Sequence, residues 1–226
     1  MEMNIDTATR YASVALSSQG EVLTELSWRS ERNHSVELVP AMRLLMEQAG
    51  VQIDAIDAVF VVRGPGGFSA LRVGISVAKS LAVGRGIPVV GCGTLEVEAM
   101  PYRGLGLPVC AVVGASRSTV YAATFEGGLE SDVEAAYRVE SHEELASSVD
   151  RPTLFCGEAL EALASRLKEG LGDAAILADA PPPTRRPAVL ARLGYAQLQA
   201  TGGEDPALLQ PQYMRAAQVN SAKRKK

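Results

Sequence analysis

Cysteine is scarce in this chain and placed where it can do little. Cys92, Cys110 and Cys156 are odd in number, far apart and never paired as CxxC, which argues against a disulfide framework or a thiolate zinc site and leaves three small buried hydrophobes. Histidine is scarcer still. His34 and His142 fall in different halves of the chain without HxxxH or HxxE spacing, so a histidine-built metal site is not supported either. Long apolar runs are missing: stretches such as AVFVV at 58–62 fall far short of the roughly 20 residues that a spanning helix needs. With no leader-like segment in view, the expected location is cytoplasmic, with no membrane partner. Positive charge is not in excess, since 22 Lys and Arg stand against 26 Asp and Glu, a formal net charge of -4. Non-specific nucleic-acid binding needs clustered cations, so the chain is not expected to hold RNA tightly by itself. The basic cluster Lys223, Arg224, Lys225 and Lys226, which follows Gln218, Asn220 and Ser221, reads as a solvated terminus.

What is present is a core. With 226 residues, 47% hydrophobic and 21% charged, the chain can form one large or two small domains. The order of elements reads as one plan used twice. MNID (3–6), the turn TATR and YASVALS (11–17) predict a hairpin, and EVLTELSWR (21–29) alternates with period two as a third strand. A helix begins near His34 with a stripe of Leu38, Met42, Leu45, Met46 and Ala49 and a stop at Gly50, its early part disturbed by Pro40. A strand at 58–62, a helix at 69–84, a strand at 87–91 and a short helix at 95–100 follow. After Pro101 to Pro108, a plausible boundary, the order recurs: strands at 108–114, 119–125 and 133–140, a helix opened by the capping-box pair Ser141 and Glu144 and running to about 148, a strand at 153–157, a helix at 157–170, a strand at 174–178 and a helix at 188–201. The expected fold is α/β, two similar three-layer lobes of the actin, sugar-kinase and Hsp70 ATPase (ribonuclease H-like) type, with domains at 1–103 and 104–226.

The stretch RGPGGFSALRVGISVAKSLA (63–82) carries the most information. Its glycine turn leads into a helix apolar on almost every side, with only Arg72 and Lys79 charged, and such a helix has to be covered twice. The line Ala70, Gly74, Ala78 and Ala82 permits close approach of a neighbour, whether the lobe's own sheet, the 35–49 helix or a second protein. GPGGFS matches neither GxGxxG nor a GK[ST] phosphate loop. Gly64, Gly66 and Gly67 suit either an anion at the helix N-terminus or a plain tight turn. Asp6 and Thr7, at the end of the first strand, are candidates for the same degenerate anion site, or for an Asx turn. Gly74-Ile75-Ser76-Val77-Ala78 lacks the final glycine of a nucleophile elbow and lies in a helical pattern, so no catalytic residue is assigned.

IDTATRYASVAL (5–16), HSVELVPAMRLL (34–45), GPGGFSALRVGISVAKSLA (64–82) and PQYMR (211–215) resemble, in order, the IDTST..SVAL, HSE.LLP.I..LL, GPGSFTGLRIGISVAKGLA and P.YLR patterns of the bacterial TsaB (YeaZ) family. The resemblance implies a catalytically degenerate relative of TsaD that serves as a scaffold in making N6-threonylcarbamoyladenosine (t6A) at position 37 of tRNA. It further implies a TsaD homologue as heterodimer partner, a TsaE-type ATPase as third component, tRNA reached only indirectly, and ATP or ADP at the partner interface rather than on this chain alone. The matching helices 35–49 and 69–84 would place Leu38, Met42, Leu45, Met46, Ala70, Val73, Gly74, Val77 and Ala78 at that interface. The same uncovered face would form a homodimer when the chain is alone. The alternatives are a phosphotransferase or ATPase of the same fold class and a glycoprotease-like peptidase. This chain departs from the pattern at Gly67 and Ala70, and at Gly114 and Thr119, where the second lobe often carries acidic residues.

Overall fold

The computed structural model describes residues 1–126 and 135–214, which fold as two five-stranded mixed sheets. In the first half, β1 (Glu2–Asp6), β2 (Tyr11–Ser18) and β3 (Glu21–Arg29) form an antiparallel meander, followed by α1 (His34–Ala49), β4 (Ala58–Gly64), α2 (Phe68–Arg85), β5 (Val89–Gly93) and α3 (Thr94–Ala99). The second half gives β6 (Val109–Gly114), β7 (Thr119–Phe125), β8 (Arg138–Ser141), α4 (His142–Leu145), β9 (Thr153–Cys156), α5 (Leu160–Leu171), β10 (Ala175–Leu177) and α6 (Pro187–Thr201). Strand orders β3-β2-β1-β4-β5 and β8-β7-β6-β9-β10 are the same order. In both, helix-linked strands pair parallel and hairpin-linked strands pair antiparallel. The doubled plan read from the sequence is the plan of the fold.

Burial explains the strand compositions. β4 is covered on both faces and is apolar almost without interruption, whereas the edge strand β3 alternates exposed and half-buried residues. One face of the first sheet, with Met3, Ile5, Val14, Val59 and Val61, packs on Leu38, Met42 and Leu45 of α1 and on Ile75, Ala78 and Ala82 of α2. The opposite face, with Phe60, Val62 and Cys92, packs on Leu190 and Leu193 of α6. Contact there is so close that a Cβ at Gly194 would stand 2.3 Å from Phe60 Cγ. α3 makes the converse crossing, with Leu95 and Ala99 joining Val109, Ala111 and Val113 of the second sheet. Each half therefore lends its last helix to the other half's sheet. Along the chain the sheets separate near residue 104, but in space the helices interlock them.

Two local expectations need adjustment. α1 continues through Pro40 without a break; the carbonyl deprived of its partner belongs to Val36, and both Val36 and Pro40 face solvent, where water can replace the lost bond. The capping box of Ser141 and Glu144 forms as read, but α4 closes after one turn at Leu145 rather than reaching 148. The strand expected at 133–140 is present from Arg138; Val133 and Glu134, like the basic tail, lie outside the described residues.

Candidate docking face and inter-lobe cleft

The small-residue ridge of α2 faces inward. Thr7 Oγ1 donates to the Ala70 carbonyl at 2.7 Å, and a Cβ at Gly74 would come within 2.4 Å of that hydroxyl oxygen. Glycine here lets the helix seat on the end of β1. Of the residues expected at a partner interface, Leu38, Met42, Leu45, Gly74 and Ala78 are sealed in the lobe's own core, while Met46, Ala70, Val73 and Val77 are half-buried along its flank. The solvent side is made by other residues: Val36 (68% exposed), Val39, Leu44, Phe68 (56%) and Val83 (69%). An i, i+4, i+7 stripe identifies whichever face is most apolar, which is the core face; the outer residues lie off that stripe. Their signal in the sequence is the shortage of charge along α2.

Part of the second cover comes from the chain's own end. Residues 204–213 run along β5 and α2 as a strap. The Glu204 N–H donates to the Val89 carbonyl at 2.7 Å, and Glu204 Oε1 accepts from the Gly91 N–H at 2.9 Å. Lys79 Nζ donates to the carbonyls of Ala207 and Leu209, each at 3.2 Å, and Leu209 is buried. The Gln212 N–H reaches the Arg63 carbonyl at 2.7 Å. Tyr213 stacks on Phe68 with ring centroids 5.1 Å apart, and Arg72 lies 4.0 Å over the Phe68 ring while its Nε donates to the Tyr213 hydroxyl at 2.8 Å. The only two cations in the body of α2 thus hold the strap. Composition alone carried no sign of it; only the PQYMR match pointed there, and Arg215 of that motif lies outside the described residues.

The cleft between the lobes is where proteins of this fold class would hold a nucleotide and its metal, and the residues present do not fit one. Asp6 Oδ1 accepts the Ala8 N–H at 2.8 Å, an Asx turn, and Oδ2 accepts Arg185 Nε at 2.7 Å, so the carboxylate is used on both oxygens. The Gly67 N–H is spent on the Ala8 carbonyl at 2.8 Å, and a Cβ at Gly66 would stand 2.3 Å from that same oxygen. Gly64, at φ +122°, abuts the Gln212 carbonyl of the strap, and the Thr7 hydroxyl already serves Ala70. Across the cleft Gly114 has nothing within 4 Å of a would-be Cβ, and the Thr119 hydroxyl pairs with Ser116 at 2.7 Å. Among the described residues no cluster of His, Cys, Asp or Glu is placed to hold a metal ion, and no helix is long and apolar enough to cross a membrane. His34 donates Nε2–H to the Thr9 carbonyl at 2.8 Å and ties α1 to the first turn.

Arg185, Glu98 and Glu158, none of them singled out by sequence reasoning, meet at this cleft. Arg185 Nη1 donates to Glu98 Oε1 at 3.0 Å and Glu158 Oε2 at 3.3 Å, and Nη2 to Thr9 Oγ1 at 2.7 Å. Thr9 also bonds Glu158 directly, and Thr184 Oγ1 donates to Glu98 at 2.7 Å. Burial disfavours the charge on Arg185, but the attraction of Asp6, Glu98 and Glu158 outweighs it and holds the guanidinium protonated. Burial raises the Glu98 carboxyl above its ordinary value, against the pull of Arg185. No single sequence motif links Arg185 to its partners, since it lies 87 positions from Glu98 and 179 from Asp6.

Two sheets of one strand order, crossed third helices and paired hairpin turns at a common cleft define a two-lobed protein of the actin, sugar-kinase and Hsp70 ATPase fold type. Residues 22–171 match the family model described as TsaD, tRNA N6-adenosine threonylcarbamoyltransferase; the chain belongs to that family, in its TsaB/YeaZ group, a family of t6A biosynthesis. The tRNA threonylcarbamoyladenosine biosynthesis protein TsaB of Bacillus subtilis is 28% identical over 221 residues, covering 96% of this chain and 95% of the relative. YeaZ from Pseudomonas aeruginosa superposes with a TM-score of 0.76 at 27% identity, over 94% of this chain and 99% of that one. The ethanolamine utilization protein EutJ from Carboxydothermus hydrogenoformans, at 13% identity and a TM-score of 0.53 over 85% of this chain and 89% of its own, shares the fold alone.

Proposed function

We propose that this chain is a non-catalytic subunit that pairs with a TsaD-type threonylcarbamoyltransferase in the cytoplasm and supports t6A formation on tRNA without itself transferring the group. The observation that carries this reading is the outer face of α1 and α2, where Val36, Val39, Leu44, Phe68 and Val83 stand in solvent although the inner faces of the same helices already fill a complete core. Exposed apolar side chains gathered on one helix pair mark an interface. The cleft supports the non-catalytic half of the reading, because Asp6 and the glycine turn are satisfied internally. A second copy of this chain can cover the same face when the partner is absent, and a TsaE-type ATPase and any ATP or ADP would then join at the heterodimer.

The test is co-purification of the chain with the TsaD homologue of its own organism, followed by measurement of t6A in tRNA after depletion. The expected results are a stoichiometric complex and loss of the modified nucleoside. A chain that stays monomeric beside that homologue at micromolar concentration, with t6A unchanged on depletion, overturns the reading.

A further inference from the structure

We infer that Arg185 is a built-in ligand of the inter-lobe cleft, a guanidinium supplied by the chain itself that holds the two lobes closed in one relative disposition. The reasoning does not depend on the docking role. Arg185 lies in the segment that leaves β10 and returns to the first lobe as α6, and its side chain is only 3% exposed. Its guanidinium is bound from three directions. Nε takes Asp6 at the end of β1; Nη2 takes the Thr9 hydroxyl and, at 3.3 Å, the Tyr11 carbonyl of the first hairpin; Nη1 takes Glu98 of α3 and Glu158 of the second lobe.

Charge shows why the group has to be a cation. Asp6, Glu98 and Glu158 converge with side-chain exposures of only 5%, 1% and 11%. Apart from Arg185 itself, among the described residues the cation paired with them is Arg10, 3.4 Å from Glu158 and half in solvent. Without Arg185 three carboxylates would repel one another across the seam between the lobes, and opening the cleft would relieve them. In a two-lobed protein, a ligand that contacts both walls favours the closed state by its differential contacts. Here the ligand is covalently attached, so closure needs no small molecule, and the internal use of Asp6 that excludes a phosphate becomes part of the device.

Arg185→Ala in the full chain should lower Tm by about 10 °C. More tellingly, it should speed amide exchange about tenfold or more at 7–10, 115–118 and 157–159, which border the cleft, while the α1 and α2 amides that face the first core change little. Millimolar methylguanidinium should restore the variant's Tm and protection, where equal concentrations of urea or potassium chloride do not. Should Arg185→Ala fail to fold, Glu158→Gln serves, because it removes only the second-lobe charge and keeps the side chain's shape; it should give the same pattern at smaller amplitude. Junction amides that exchange as in the parent chain, or a rise spread evenly through both sheets, would overturn the inference.

Discussion

The molecule contains its own control experiment. α1 and α2 occupy on the first sheet the places that α4 and α5 occupy on the second, yet the outsides of the two pairs differ. α5 buries Leu160, Leu163 and Leu167 and turns Glu161, Arg166, Lys168 and Glu169 to solvent, an ordinary amphipathic surface helix. α2 buries Leu71, Ile75 and Ala78 but shows solvent Phe68, Val83 and a row of serines, with Arg72 as its one exposed charge short of the last turn. Because topology and sheet packing are shared, the difference lies in the outer faces of the helices alone. On the proposed function, the first lobe is the one that a partner covers.

The largest expected effect separates the inside of the first helix pair from its outside. Leu45→Asp puts a carboxylate among fully buried apolar groups, and Gly74→Glu drives a side chain into Thr7; each should cost about 4 kcal/mol or more and leave little folded protein in thermal melts. Neither can report on a partner, although both sites lie on the stripe that the sequence points to. Leu44→Asp and Val83→Asp, on the outside, should leave Tm within about 3 °C of the parent yet weaken binding of the TsaD homologue about 100-fold in titration calorimetry. Glu169→Ala on α5 should change neither. If the two outer variants bind as the parent does, the contrast between the lobes has no functional content.

How much of this was legible beforehand follows from the range of each signal. Hydrophobic period and turn chemistry are local, so the doubled order of strands and helices, the Gly50 stop and the Ser141 capping box all show in the sequence. The face of a helix that meets a partner is not local information. Ala70, Gly74 and Ala78 could have served a neighbouring helix or their own sheet, and the 2.7 Å bond from Thr7 to Ala70, with the close seating of Gly74 on Thr7, decides for the sheet. The crossing of α3 and α6 was hidden for a similar reason, since a helix pattern says that a face is apolar without saying which sheet it meets. Arg185 was the least visible of all, one of two adjacent arginines in a proline-rich loop, with partners in β1, α3 and the segment before α5.

The strap sharpens the comparison at intermediate cost. α2 needs an extra cover that α5 does without, and Lys79 supplies two of the bonds that hold it. Lys79→Met keeps the apolar stem and removes both bonds, so the strap should loosen at a cost of about 1–2 kcal/mol. Faster amide exchange confined to 204–213 is the expected signature, with no corresponding change on α5. Exchange that stays as slow as in the parent would mean that Leu209 and the Glu204 bridge suffice to hold the strap.

The smallest effect lies in how the helices of the two pairs begin. Neither Asn33 before α1 nor Gly67 before α2 gives its helix a side-chain cap, whereas Ser141 and Glu144 close a full box at α4. The Ser141 backbone N–H, and after it the Ser141 hydroxyl, hold the Glu144 carboxyl below its ordinary value of 4.5. A carboxyl depressed by folding adds stability that is complete above its unfolded pKa and fades as pH falls through the lower folded value. Acidification below about pH 4.5 should therefore release α4 locally without a matching event at the uncapped starts of α1 and α2. In an NMR titration the Glu144 side chain should show a midpoint below 4.5, and Ser141→Ala, which removes the hydroxyl but keeps the backbone N–H, should raise it part of the way. A midpoint that ignores that substitution would mean the box is not what anchors α4, and the second lobe would lose its local anchor in this contrast.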